Sequence, residues 1–360
     1  EYRRQRQMCI RDSDLHESSR RSGLDFRPLR PTGERERIIF IDKYVTLAHA
    51  LNDPTIRPHD IIMFTDAYDT LVVGGVSEIC RAFASTGSDI VFNGETTFWP
   101  PSEMPDDPLK AYFDNYSTEP CRYLNSGCYI GYAGAVRQML EYCLNQSSND
   151  NDHDDQRLAC RFLIDGAAQY DLKITVDSTC SIFATLGGSI EDYQYSGGAV
   201  RNARTGRWPP IIHANGAKEP IEALTILNAI QRLKPEGLDL LAIHSPGGFL
   251  HQTGIVHAQP TNGICVAVRI GPYSAILLAP NFTSLRSFRP DQSVGTAIWA
   301  KNWEIVTFKT GEVRTCHDLP LTAYGLGTSG PMTVHPFPLA ALSHWTSDQL
   351  RALLVTLSSL

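Results

Sequence analysis

Between Leu24 and Lys218 short apolar runs alternate with stretches whose apolar residues recur three and four positions apart. That is the pattern of strands alternating with amphipathic helices, and it predicts an α/β layered sheet. Leu24-Asp-Phe-Arg-Pro-Leu29 reads as a short strand, and 39–51 as a helix with Ile41, Tyr44, Val45, Ala48 and Leu51 on its apolar face. A strand over 60–64, a helix over 77–84 and a strand over 89–93 have the form of a βαβ unit. Two prolines after Trp99 then break the pattern. Further on, 129–132 reads as extended, 135–144 as a helix, 145–152 as a polar loop, 156–165 as a helix, and 174–176 and 182–184 as strands. A helix over 221–233 ends at Pro235-Glu-Gly237, a credible boundary. Beyond it, short β-rich runs at 264–268, 274–278, 297–299 and 303–308 are separated by Gly, Pro and Asn turns. They predict a smaller β-rich C-terminal domain closed by a helix over 347–357. The expected division is therefore a 24–235 α/β domain and a 236–360 accessory domain. Residues 1–23 are expected to be non-native or disordered, because their start is polar, unpatterned and similar to translated adapter sequence.

Composition narrows the class. The 360 residues are 42% hydrophobic and 20% charged, as in a globular chain able to bury a full core. With 32 basic against 39 acidic residues, net charge −7, there is no general attraction to nucleic acid or an anionic membrane surface, so phosphate recognition must be local. No apolar run approaches the ~20 residues of a transmembrane helix. The nine cysteines form no Cys-x-x-Cys and no short Cys/His spacing of a zinc site, and most are read as buried apolar fillers. Sequons at Asn115, Asn145 and Asn281 would matter only in a secretory pathway, and localisation stays open between a secretory lumen and a bacterial or viral cytoplasm.

The chemistry begins where the apolar run Ile61-Ile-Met-Phe64 ends in Thr-Asp66-Ala-Tyr68-Asp69. A strand of this kind delivers its acids to a sheet edge, where a hard cation and a diphosphate could be held by oxygen ligands. Alone, the pair is better read as an aspartate cap for the following helix and loop than as a metal site. Four segments downstream add to it: Glu95 with Trp99-Pro100, Leu124-Asn125-Ser126-Gly127, the acidic run ending in Asp154-Asp155-Gln156, and His213-Ala-Asn215-Gly216-Ala-Lys218. Each residue has a bland alternative. Tyr68 and Trp99 could fill the core or anchor a loop, His213 could be a satisfied core histidine, Lys218 a solvated surface charge, and Asp154 and Asp155 a helix cap. A phosphohydrolase of the haloacid dehalogenase type needs Asp-x-Asp-x-Thr, whereas the spacing here is Asp66-x-x-Asp69-Thr70. His153-x-Asp155 fits two iron ligands in form only, with no arginine-backed third histidine, so no hydroxylase domain is expected.

In order and spacing these five motifs resemble the glycosyltransferase domain of the procollagen lysyl hydroxylases and the related collagen galactosyltransferases, over roughly residues 24–218. The resemblance implies a GT-A-like, Rossmann-type domain that uses a UDP-sugar and Mn²⁺ to transfer a hexose to a hydroxyl acceptor on protein or glycan. Carried onto this chain, it assigns the metal to Asp66, Asp69 and His213. Tyr68, Glu95, Asn125, Gln156, Asn215, Gly216 and Lys218 fall to the nucleotide-sugar, and Trp99, Asp154 and Asp155 to the reacting sugar. The nucleotide-contacting first strand of those relatives has no match ahead of Leu24, and residues from Gly237 onward have no counterpart. An alternative is a non-catalytic carbohydrate-binding or degenerate transferase module.

Overall fold

The computed structural model describes residues 14–30, 40–101, 107–150, 153–216 and 218–233. Beyond these it describes 240–245, 248–250, 256–257, 266–271, 274–278, 284–287, 294–297, 305–309, 312–314 and 333–342. The chain divides into two compact units, one of residues up to Ser189 with Arg204–Gly216, the other of Ile190–Ala203 with Ala217 onward. The helix Lys218–Leu233, on the N-terminal side of the division expected at 235, thus lies in the second unit.

The first unit is mixed α/β. Its main sheet has four strands, β1 (Ile61–Thr65), β3 (Ile90–Glu95), β4 (Tyr123–Tyr132) and β5 (Ile174–Asp177), in the order β1-β4-β3-β5. β4 runs antiparallel to β1 and β3, and β3 parallel to β5. A three-stranded sheet carries β2 (Thr70–Val72), β7 (Ile211–His213) and β6 (Phe183–Thr185), with β7 between the other two. All six residues of β3 are buried, because side chains alternate across a strand and both faces of this one are covered. Ile90 and Phe92 join one core cluster with Tyr44, Tyr129, Met139 and Phe162, whereas Val91 joins the other with Ile79, Phe83, Ile130 and Phe183. Helices α2 (Asp42–Leu51), α5 (Ala133–Asp150) and α6 (Asp155–Arg161) supply the first face, and α3 (Val76–Thr86) the second. Each such aromatic or aliphatic side chain contributes about 1.5–3 kcal/mol by leaving water.

Four local expectations are corrected. Residues 24–29 carry no strand. Residues 14–21, expected to be disordered, form helix α1 (Asp14–Arg21), which buries Leu15 and places Ser18 Oγ 3.1 Å from the Val72 N–H of edge strand β2. The polar run from Asn145 continues α5 to Asp150, with Ser148 Oγ donating to Leu144 O at 3.0 Å. The helix after Asp155 is α-helical only to Arg161 and then passes through a π turn at Phe162–Gly166.

In the second unit the described strands form one 12-stranded antiparallel sheet. Its hairpin Tyr193–Ser196/Ala199–Asn202 pairs through Tyr195 with Phe337 of Thr333–Pro338. Helix α7 (Lys218–Leu233) buries Ala223, Leu224, Leu227 and Ile230. The helix expected over 347–357 lies outside the described residues. Among the described residues no helix is long and apolar enough to cross a membrane.

Candidate metal centre and its surroundings

The ends of β1 and β7 and the start of β2 converge. Asp66 follows the last residue of β1 and its N–H donates to Gly127 O at 2.7 Å. Asp69 precedes β2, in which Thr70 is registered opposite His213, and Asp69 O accepts the Ala214 N–H at 2.7 Å. One oxygen of each carboxylate and one nitrogen of His213 lie within 4.8 Å of one another. His213 is 2% exposed, and its Nε2 is buried without a hydrogen-bond partner, 3.5 Å from Asp69 Oδ2. That separation is ion-pair range without hydrogen-bond geometry. Burial alone would lower the imidazole pKa, but Cys128 and Asp69 beside it hold it well above the usual range. Burial likewise pushes Asp69 up, and His213 and Lys43 more than offset it, leaving the carboxyl below its ordinary value.

His213 is held from behind. Asn93, in β3, places its side-chain amide nitrogen 3.2 Å from His213 Nδ1, and Thr185 Oγ1 donates to Asn93 Oδ1 at 2.8 Å and to Gly94 O at 2.7 Å. Rotating the Asn93 amide by half a turn would present its oxygen to a protonated Nδ1, freeing Nε2 as a ligand, while Thr185 kept its bond to Gly94. Gly127 forms the floor: a Cβ there would collide with the His213 ring and meet Asp66 Oδ2 at 3.0 Å.

A second, polar layer adjoins the acids. Lys43 Nζ, from α2, sits 3.0 Å from Asp66 Oδ1 and 3.3 Å from Asp155 Oδ2. Burial opposes the ammonium charge, but the two carboxylates outweigh it and raise the lysine pKa. Asp155 is 4% exposed and also accepts from Ser126 Oγ at 2.9 Å; its desolvation outweighs Lys43 and leaves its pKa raised. Asp154 instead caps α6, accepting the Arg157 N–H at 2.8 Å, and is half-buried. Gln156 donates to Glu95 Oε1 at 2.7 Å and to Trp99 O at 2.8 Å, while its Oε1 accepts from Ser126 N at 3.2 Å. Asn215 donates to Glu95 Oε2 at 3.0 Å and accepts from Gly187 N at 2.9 Å. Asn125 Oδ1 accepts the Gly127 N–H at 2.9 Å. Burial raises the Glu95 carboxyl to about 7 against the pull of Gln156 and its other donors.

Of the residues singled out from sequence, Asp66, Asp69 and His213 thus form one cluster, and Glu95, Asn125, Gln156, Asn215 and Asp155 a connected network. Tyr68 and Trp99 are 50% and 58% exposed, so neither fills the core. Gly216 is exposed, with φ +85°. Lys218 opens α7 in the other unit, and its side chain lies outside the described residues. His153 is exposed and 3.0 Å from Ser147 Oγ. Lys43, Asn93, Ser126 and Thr185 complete the arrangement without having been assigned roles from the sequence.

Comparison with known proteins places the chain among glycosyltransferase-type domains. The family model for the PLOD GT domain matches residues 42–232, more than half of the chain, and the chain belongs to that family. It is 30% identical over 160 residues to human "Procollagen-lysine,2-oxoglutarate 5-dioxygenase 2", a match covering 43% of this chain and 20% of that protein. It is 29% identical over 164 residues to human "Multifunctional procollagen lysine hydroxylase and glycosyltransferase LH3", covering 44% and 21%. The chain therefore spans about a fifth of the length of the curated relatives it matches. A solved glycosyltransferase involved in glycosylation of the major capsid of PBCV-1 overlaps with a TM-score of 0.38 and 10% identity, over 61% of this chain and 93% of its own, too loose to carry an argument.

Proposed function

We propose that this chain is a Mn²⁺-dependent glycosyltransferase with a GT-A-like catalytic domain. It moves a hexose from a UDP-sugar to a hydroxyl acceptor on a protein or glycan. The observation that carries the proposal is the convergence of Asp66, Asp69 and His213, with the buried His213 Nε2 lacking a hydrogen-bond partner. An unpartnered buried nitrogen costs free energy, and a cation at that point would recover it. Two carboxylate oxygens and one imidazole suit Mn²⁺, and the lack of a side chain at Gly127 is what lets the His213 ring and Asp66 come this close to the strand. When bound, the ion supplies Lewis acidity to the departing diphosphate.

The chain's own residues do the rest. Asp66, Asp69 and His213 hold the ion, and Asn93 fixes the imidazole behind them. Tyr68 offers an exposed ring on which uracil stacks, and Trp99 offers one that walls the sugar pocket. Glu95, held by Gln156 and Asn215, together with Asn125, presents a buried hydrogen-bonding surface to the sugar hydroxyls. Asp155, its charge balanced by Lys43, and Asp154 at the start of α6 stand for the acidic groups near the anomeric centre. Gly216 lets the backbone approach the diphosphate. Family membership and the sequons together favour a secretory lumen.

The test is release of UDP from a panel of UDP-sugars, with Mn²⁺ and with EDTA, for the chain and its Asp69→Ala and His213→Ala variants. Metal-dependent release from one or two donors, lost in both variants while their circular dichroism is unchanged, is the expected result. Undiminished turnover in both folded variants would overturn the proposal.

A further inference from the structure

Cys121 and Cys180 bring their sulfurs to 3.0 Å, and both residues are buried. A disulfide needs about 2.05 Å, so closing the gap takes a movement of about 1 Å. The backbones are already joined, the Cys121 N–H donating to Ser178 O at 3.3 Å. The loop that carries Cys180 is fixed from within: Asp177, at the end of β5, accepts the N–H groups of Ser181, Ile182 and Phe183 at 2.8, 2.6 and 2.9 Å. Cys180 itself is held at φ +57°, a conformation L-residues rarely adopt without such support.

The pair also stands at a place that matters. Asn93 is registered opposite Asp177 in the β3–β5 ladder, and Glu95 opposite Tyr123 in the β3–β4 ladder. Gly94, between them, is gripped by the carbonyls of Cys121 and Asp177 so closely that a Cβ would meet both. A bond between Cys121 and Cys180 would therefore close the end of the main sheet around the strand residues that hold His213 and face Asn215. It would close a loop between positions 59 residues apart, long enough to restrict the unfolded chain strongly.

We propose that Cys121 and Cys180 form a structural disulfide that staples this end of the sheet. The two thiols lose two protons and two electrons, and one molecule of a disulfide oxidant such as oxidised glutathione is reduced to two thiols by way of a mixed disulfide. Because both sulfurs are buried in the folded chain, exchange takes place before the 178–182 loop closes or during its local opening.

The experiment refolds the full chain in a reduced/oxidised glutathione buffer poised as in a secretory lumen. Free thiols are then blocked with an alkylating agent under denaturing conditions, and unreduced peptides are mapped by mass spectrometry. The expected species joins the Cys121 and Cys180 peptides, two hydrogens lighter than their sum, with the other cysteines alkylated. It disappears in Cys121→Ala/Cys180→Ala. Reductant lowers the wild-type Tm by roughly 10 °C and leaves the double variant's Tm unchanged. Alkylation of both cysteines in folded wild-type protein, or linkage of either to a different cysteine, would overturn the proposal. These readouts involve neither UDP nor metal, so their outcome is independent of the transferase reading.

Discussion

Asn93 Nδ2 lies 3.2 Å from His213 Nδ1, on the side of the ring away from the two aspartates. The contact holds the tilt of the ring, and the orientation of the Asn93 amide selects which nitrogen carries the proton. Asn93→Ala removes it and leaves Nδ1 buried without a partner. Affinity for Mn²⁺, read by calorimetric titration, should fall about 10- to 100-fold, with secondary structure retained. An unchanged affinity would show that the ring is oriented by packing alone.

Glu95 makes stability depend on pH in an unusual sense for a carboxylate. Burial raises its folded-state pKa from the ordinary 4.5 to about 7, so between these values the folded chain binds the proton that the unfolded chain has released. Its contribution is fully present below pH 4.5 and is lost as pH rises through 7. The total is about 3 kcal/mol, from a shift of roughly 2.5 pH units. Urea unfolding of the metal-free chain from pH 4.5 to 8 should show this component as a decline. In Glu95→Gln, whose amide resembles the protonated acid in shape, that component should be missing. A variant with the wild-type slope would mean that another group is responsible.

Lys43 and a divalent cation compete for Asp66. The ammonium sits 3.0 Å from Oδ1 and 3.1 Å from Oδ2, and bridges to Asp155. In Lys43→Met the metal-free chain keeps two carboxylates with their shared cation gone, one of them 4% exposed, which costs about 3 kcal/mol. Saturating Mn²⁺ should then stabilise the variant more than the wild type, since nothing has to be displaced. Thermal shifts measured with and without metal decide this; equal shifts in the two proteins would show that Lys43 and the ion do not compete.

How far these relationships could be read in advance varies with the kind of signal. The start of β3 was legible because Ile90-Val91-Phe92, covered on both faces, is an unbroken apolar run, and the acids after β1 stood out against the same kind of background. For β4 the pattern predicted extended backbone only over 129–132, because the polar and small residues of Leu124-Asn125-Ser126-Gly127 are poor strand formers. In the structure that stretch is mid-strand, its polar groups satisfied by Gln156, Asp155 and its own Asn125. Lys43 lies 23 residues before Asp66 on a helix whose polar positions suggest solvent, and only the packing of α2 beside β1 reveals its role. Asn93 was visible as the last residue of a predicted strand. Its partner lies 120 residues away, and no local pattern reports that distance.

Gly127 and Gly131 allow steric blockage of the centre to be separated from general damage to β4. At Gly127 a Cβ would collide with the His213 ring and press on Asp66 Oδ2 at 3.0 Å; at Gly131 it would meet Asp89 O at 2.7 Å and Ile90, away from the acids. The His213 ring is the tighter contact, and it is buried and braced by Asn93, so relief requires the ring or the strand beneath it to shift, while the Asp66 side chain, 29% exposed, can also swing outward. Overpacking should cost both variants about 1–3 kcal/mol of stability. Gly127→Ala should in addition bind Mn²⁺ at least about tenfold more weakly, because both groups that the new Cβ presses on are proposed ligands. Gly131→Ala should bind the ion as the wild type does. If both lose metal equally, the ligand set is responding to strain throughout the strand and the floor beneath His213 has no separate role; if neither does, the His213 and Asp66 atoms over Gly127 do not hold the ion.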